Sequence, residues 1–151
     1  MLRDILDQYK DQSTSLRNQG DLFEALIQSY LLSDPRYTNS LSEVWLWMEF
    51  PFRDQFGGND TGIDLVAKTH KGDYWAIQCK FFDENSTISK GDVDSFLSTS
   101  SRTFDDERGI LQRFNERLWV STTNNWSSNA EEVIKNQEPP VARLNLQNLL
   151  D

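Results

Sequence analysis

The chain has 151 residues, 24 acidic and 15 basic, for a formal net charge of −9 with His70 neutral. That length suits one independently folding core, at about 100–200 residues per domain, and 37% hydrophobic with 26% charged residues describes a globular chain, not a disordered or fibrous one. No apolar run approaches the roughly 18–20 residues of a membrane helix, the start MLRDILDQYK is too polar for a signal peptide, a lone Cys79 forms no internal disulfide, and the acid excess disfavours a free-standing protein that grips nucleic acid by bulk charge.

A cytoplasmic single domain without a membrane partner is therefore expected. Residues 1–33 read as helical in two pieces. Leu2, Ile5, Leu6 and Tyr9 recur at helical spacing, and a clearer stripe follows in Leu22, Phe23, Leu26, Ile27, Tyr30 and Leu31. Ser33-Asp34-Pro35 stops the second helix. Residues 44–50 are rich in β-formers, end at Pro51 and are too short for a helix, so they read as a strand. A polar loop over residues 53–62 leads to a strand at 63–67. Lys71-Gly72-Asp73 turns the chain, and residues 74–81 return as a second hairpin strand.

Ser89-Lys90-Gly91-Asp92 has the capping-box pattern and precedes Val93, Phe96 and Leu97 on one helical face. Residues 118–122 form a short strand of buried type. Ser128-Asn129-Ala130-Glu131 is a second capping box, opening a helix that ends near Lys135. Residues 141–144 are a last strand, and Leu146, Leu149 and Leu150 begin a final helix. The order is α, β, β, β, α, β, α, β. Helices between the later strands require parallel pairing in part of the sheet, with helices on both faces, so the fold class is α/β.

Nucleophile-elbow, phosphate-loop and zinc-protease patterns are absent, and residues 57–62 lack the Lys-Ser/Thr ending of a phosphate cradle, so no ATP site is expected in this chain. The concentrated chemistry lies in the hairpin. Strand side chains alternate, so Gln78 and Lys80 share one face while Ile77, Cys79 and Phe81 share the other. A register centred on Lys71 sets Asp64 opposite Gln78. A carboxylate, an amide carbonyl and an ammonium then converge. Such oxygen donors suit Mg²⁺, and a cation held by Asp64 and Gln78 would activate water against a phosphodiester, with Lys80 facing the charge that develops. On spacing alone, the solvated face of a hairpin is the commoner explanation. The apolar residues flanking both strands favour two covered faces instead, where unpaired polar groups are costly. Glu24, at the margin of the second helix's stripe, is placed to reach the sheet end, although a single helical Glu is more often solvated.

Asp64 followed by Gln78-Cys79-Lys80 resembles the bipartite active site of the PD-(D/E)XK nuclease superfamily, in the Mrr-like branch that carries Gln where most members have Glu. Gly20-Asp21-Leu22-Phe23-Glu24 is similar to that branch's first-helix motif. Residues 44–47, 61–67, 74–80, 87–90, 119–123 and 140–143 together resemble the N-terminal nuclease domain of type ISP restriction–modification enzymes and of helicase-linked phage and bacterial nucleases. The resemblance implies a restriction-endonuclease-like αβββαβ core with a mixed central sheet, and a metal-dependent endodeoxyribonuclease using Mg²⁺, with Mn²⁺ as a substitute. It implies metal ligation by Asp64, Gln78 and Glu24, with Asp60 a weaker candidate, and double-stranded DNA as substrate. It further implies that residues 1–151 are one nuclease domain, the N-terminal part of a longer polypeptide carrying a helicase-type translocase and a methyltransferase. Ile63 stands where most members have Pro, and the neutral Gln78 puts more weight on Glu24. Two alternatives stay open: a nuclease fold without catalysis that serves as a DNA-binding or docking module, and a nuclease for branched or repair DNA.

Other residues have plainer expectations. Trp45, Trp47, Trp75 and Trp119 should pack in the core and Trp126 should be the exposed one. Cys79 should be a small buried hydrophobe and His70 a solvated turn residue. Lys90, at a helix start, is a candidate phosphate contact. Arg108, Arg113 and Arg117 form a small basic cluster suited to a phosphate backbone or a neighbouring domain, whereas residues 81–107 are strongly acidic.

Overall fold

Phe23, Ile27 and Leu31 recur at helical spacing and are completely buried along one side of helix α1 (Leu16–Ser33) in the computed structural model of the chain. The structure describes residues 4, 5, 8, 16–57, 62–83 and 85–145. Residues 4, 5 and 8 are helical; the rest of the expected first helix, and the helix expected from Leu146, lie outside the described residues. Asp34 caps the short helix α2 (Pro35–Thr38), accepting the Arg36 N–H at 2.8 Å.

Strands β1 (Leu41–Leu46), β2 (Leu65–Thr69) and β3 (Tyr74–Lys80) form an antiparallel meander. Strand β6 (Leu111–Ser121) then lies parallel to β3 along its whole length, with Gln78 beside Trp119 and Lys80 beside Ser121. The far edge of β6 is shared: its first half pairs antiparallel with β5 (Thr103–Asp105) and its second half parallel with β8 (Val141–Leu144). The result is one mixed six-stranded sheet ordered β1-β2-β3-β6-β5, with β8 also on β6. Strands β4 (Thr87–Ile88) and β7 (Asn125–Trp126) make a separate parallel pair. Helix α3 (Lys90–Ser100) follows β4 and helix α4 (Ser128–Ile134) follows β7.

The sheet separates two cores. Leu65, Ala67, Ile77, Cys79, Leu118 and Val120 face α1. Val66, Tyr74, Ala76 and Trp119 face α3, α4 and an aromatic cluster, in which Phe104 lies 5.0 Å from Tyr74, 5.3 Å from Phe114 and 5.5 Å from Phe50. This is the mixed sheet between helical layers that the sequence implied. No helix among the described residues is long and apolar enough to cross a membrane.

Several boundaries differ from expectation. The strand expected at 44–50 begins at Leu41 and stops at Leu46; Trp47–Glu49 is a 3-10 turn, because the Glu49 carboxylate accepts the Leu46 N–H at 2.9 Å and closes the turn. The strand expected at 63–67 is β2, shifted two residues on. Residues 118–122 mark only the buried end of β6, whose first half is largely exposed and lacks an apolar signature. Helix α4 is capped one residue earlier than expected, by Ser127, whose hydroxyl accepts the Ala130 N–H at 3.0 Å. Trp126 is half-buried, packed 5.4 Å from Trp119 beneath the Arg143 guanidinium. The other four tryptophans are buried or half-buried, as expected.

The basic cluster dissolves. Arg117 is 1% exposed and donates to the Gln137 Oε1 (3.1 Å), the Pro139 carbonyl (3.2 Å) and the Ser100 hydroxyl (3.3 Å), so it faces no phosphate. Burial and the nearby Arg113 hold its pKa below the ordinary guanidinium value. Its fork ties α3 to the segment before β8. Arg117→Leu should cost about 2–4 kcal/mol in urea unfolding, since several buried acceptors lose their donor. Arg117→Lys should recover little of that, because a point ammonium cannot reach three diverging acceptors.

Candidate active site

Asp64 stands where β2 begins. The ladder from Leu65↔Ile77 to Lys68↔Tyr74, carried one step further, sets it across from Gln78, as the register centred on Lys71 requires. Three hydrogen bonds of 2.9 Å fix it: its own N–H donates to the Ile77 carbonyl, its carbonyl accepts the Trp47 N–H, and its Oδ2 accepts the Cys79 N–H. The last bond lays the carboxylate against the backbone between Gln78 and Lys80.

The approach to Asp64 is set by Gly62. Its φ is +78°, and a Cβ there would lie 2.9–3.0 Å from the Ser95 backbone and the Phe96 nitrogen of α3. Only glycine satisfies both the backbone angle and the contact.

Gln78 is 3% exposed, on the face occupied by Tyr74 and Ala76, and its Oε1 has no hydrogen-bond partner. A buried amide oxygen without a donor costs on the order of 1–3 kcal/mol, so native structures seldom keep one without a use for it. Lys80, half-buried, ends β3 beside Ser121. Cys79, on the opposite face, is buried, and its thiol is pushed well above the ordinary range by that burial and then by Asp64 and Glu24; it is the small inert hydrophobe expected.

Glu24 enters from the other layer. It follows the buried Phe23 on α1 and is half-buried. Its pKa is raised to about 8, first by burial, then by the negative charges of Asp64 and Asp21, with Lys80 opposing. Those charges place Glu24, Asp64 and Lys80 within electrostatic reach of one another. One turn further on, the Gln28 amide donates to the Val44 carbonyl (2.9 Å) and to Glu49 Oε1 (3.1 Å), docking this part of α1 on β1. Gln28 was not singled out in the sequence; its i+4 spacing from Glu24 was the available signal.

The other candidates are not gathered here. Lys90 is exposed and paired with Asp94 at 2.7 Å. His70 is an exposed turn residue. Asp60 lies outside the described residues. Among the described residues no three His, Cys, Asp or Glu side chains cluster as a metal cage. The donors are instead two carboxylates and one amide oxygen. That set fits a hard divalent cation, which accepts few protein oxygens and retains water: the amide oxygen lacks a donor, and the Glu24 carboxylate is under strain from like charge.

Gly62→Ala should lower stability by about 1–3 kcal/mol in denaturant unfolding, through strained φ and the clash with α3. The raised Glu24 pKa carries a pH signature. The folded chain holds this proton more tightly than the unfolded chain, so stability falls as pH rises from about 4.5 to about 8. Glu24→Gln removes the ionisation. Without divalent cations, its stability relative to the parent should therefore rise between pH 5 and pH 8 in unfolding titrations.

The restriction endonuclease family profile of the Mrr type matches residues 32–151. No curated protein matches the chain. Among solved structures, the ATP-dependent type ISP restriction–modification enzyme LlaBIII bound to DNA is similar over 95% of this chain, at 30% identity and TM-score 0.71. The MspJI restriction endonuclease in complex with a 27-mer oligonucleotide is similar over 98% of the chain at 19% identity and TM-score 0.56, a likeness of fold. The chain spans only 8% of the former's length and 29% of the latter's. The family match and the mixed sheet agree: the chain belongs to the Mrr-like restriction endonuclease family.

Proposed function

We propose that this chain is a Mg²⁺-dependent DNA endonuclease domain of a restriction–modification enzyme, the N-terminal part of a longer polypeptide whose ATP-dependent translocase and methyltransferase bring it to double-stranded DNA. The observation that carries the reading is the buried, donorless Oε1 of Gln78 on the strand whose backbone holds the Asp64 carboxylate. Similarity to a DNA-bound type ISP enzyme over nearly the whole chain supports the setting.

In this reading Asp64, Gln78 and Glu24 hold the cation. A bound divalent ion supplies Lewis-acid polarisation of the phosphate and lowers the cost of deprotonating the attacking water. Asp64 is kept in one orientation by the Cys79 N–H. The Lys80 ammonium balances the charge that builds on the phosphate oxygens and orients the attacking water. Gln78 contributes an oxygen without a charge, which leaves Glu24 to complete the neutralisation from α1. The net charge of −9 predicts weak, salt-sensitive DNA binding by the domain alone, which is why delivery by a linked motor belongs to the proposal.

Incubation with plasmid and Mg²⁺ or Mn²⁺ tests it. Asp64→Asn and Lys80→Ala should each slow cleavage by about 100-fold or more. Asparagine is preferred at 64 because it preserves an acceptor for the Cys79 N–H, which alanine would orphan. Cleavage that survives both substitutions overturns the reading. DNA binding untouched by Lys80→Ala, with no heat of Mg²⁺ binding, would mark a docking module instead. Preference for branched over linear and supercoiled DNA would mark a repair nuclease.

A further inference from the structure

The sheet ladder between β3 and β6 ends at Lys80↔Ser121, and the next strand on this path, β4, starts only at Thr87. Lys80 thus occupies the last paired position of β3, where strands ordinarily fray. Fraying here would move the one ammonium the proposed chemistry needs.

Beyond Lys80 the Phe81 ring packs 5.4 Å from the Phe23 ring, and Thr122 holds the backbone. Thr122, the residue just beyond β6, is 3% exposed. Its N–H donates to the Lys80 carbonyl at 3.2 Å. Its hydroxyl accepts the Phe82 N–H at 2.8 Å and donates to the Phe82 carbonyl. Backbone and hydroxyl together grip the chain on both sides of residue 81, forty residues away in sequence, and extend the ladder one step beyond its formal end. The neighbouring Thr123, 2% exposed, acts on a different place: its hydroxyl donates to the Ser86 carbonyl at 2.8 Å and accepts the Asn125 N–H at 3.2 Å.

The geometry points to Thr122 as the positioning residue for Lys80: its hydroxyl fixes the exit of β3 and so holds the ammonium at the reacting phosphate. This rests on the nuclease reading above. Thr122 acts through the backbone of residues 80–82. Valine has nearly the same shape without the hydroxyl, so Thr122→Val isolates the effect, Thr122→Ser is the conservative rescue, and Thr123→Val is an equally buried control that removes a hydroxyl bonded to Ser86 and Asn125.

The experiment uses the 151-residue chain with two readouts: amide exchange at Phe82 without DNA, and single-turnover plasmid cleavage in Mg²⁺ with DNA affinity measured separately. Thr122→Val should speed Phe82 exchange by about 10-fold or more and slow cleavage by about 10- to 100-fold at unchanged DNA Kd. Thr122→Ser should return both towards the parent, and Thr123→Val should leave the cleavage rate near it. Unchanged Phe82 exchange in Thr122→Val overturns the assignment. So does parent-like cleavage by Thr122→Val where Lys80→Ala is inactive, or an equal loss in Thr123→Val. If valine at 122 does not fold, the serine variant decides: protection and cleavage retained support the assignment, either one lost overturns it. Parent-like cleavage by Lys80→Ala, or no cleavage by the parent, would instead mark failure of the nuclease reading, and Phe82 exchange would still decide the clamp.

Discussion

Strand β3 is paired on both edges and covered on both faces, and the candidate site exists because of that double confinement. Antiparallel β2 fixes where Asp64 meets it, and parallel β6 fixes it residue by residue from Trp75 to Lys80. Ile77 and Cys79 lock into the core under α1, while Tyr74 and Ala76 lock into the aromatic core on the other side. Side chains on such a strand cannot choose their direction. Gln78 is therefore held in a dry place with an unpartnered acceptor, beside Trp119, whose indole Nε1 is unpartnered too, and Lys80 emerges at the carboxyl ends of the parallel pair, where open α/β sheets commonly place their ligand crevices. Strain of this kind persists only where the surroundings over-determine it.

The electrostatics follow from the same confinement but need both layers. Asp64 belongs to the sheet and Glu24 to α1, so the two carboxylates meet only because Phe23, Ile27 and Leu31 bury that helix against Leu65, Ile77 and Val120. The Gln28 bonds to β1 add direction to an otherwise non-directional contact. Burial and like charge raise Glu24 far above an ordinary carboxylate, and Lys80 offsets this only in part. A site with that balance favours a cation over a bare lysine–carboxylate pairing. It also makes apolar packing under α1 matter to the candidate site, because a shift of the helix moves Glu24 and leaves Asp64 and Gln78.

How much of this was legible in the sequence depended on the range over which each signal acts. The Lys71-centred register needed only a turn and two alternating strands, so the Asp64 to Gln78 pairing could be read directly. The Ser89 capping box was equally local and sits where it was expected. Residues 44–50 misled because a short apolar run does not show whether it is strand or turn; the Glu49 carboxylate that closes the 3-10 turn is a single-residue event. Arg117 misled more deeply. Its neighbours Arg108 and Arg113 made it look like a surface cation, whereas its acceptors, the Pro139 carbonyl and Gln137, come from twenty residues further along. Likewise the grip of Thr122 on Phe82 and the crowding of Gly62 against Ser95 join segments that no periodicity links.

The net charge shows the same limit from another side. Several of the acids that seemed to oppose a nucleic-acid partner are engaged locally. Asp106 accepts from Arg108, Ile110 and Gln112 and holds the turn before β6. Asp92 closes the capping box of α3, Asp94 pairs with Lys90, and Glu131 makes a two-pronged bond to Arg143 above Trp126. Charges neutralised at such short range contribute little beyond a Debye length of about 8 Å in physiological salt. What a phosphate would meet at the site is a different set, Glu24, Asp64 and Asp21 against Lys80. A divalent cation would reverse the sign of that set. In the proposed reading, a need for a cation and a need for delivery would have one physical origin: acids elsewhere in the fold are engaged in structure, and those at the candidate site carry its negative charge.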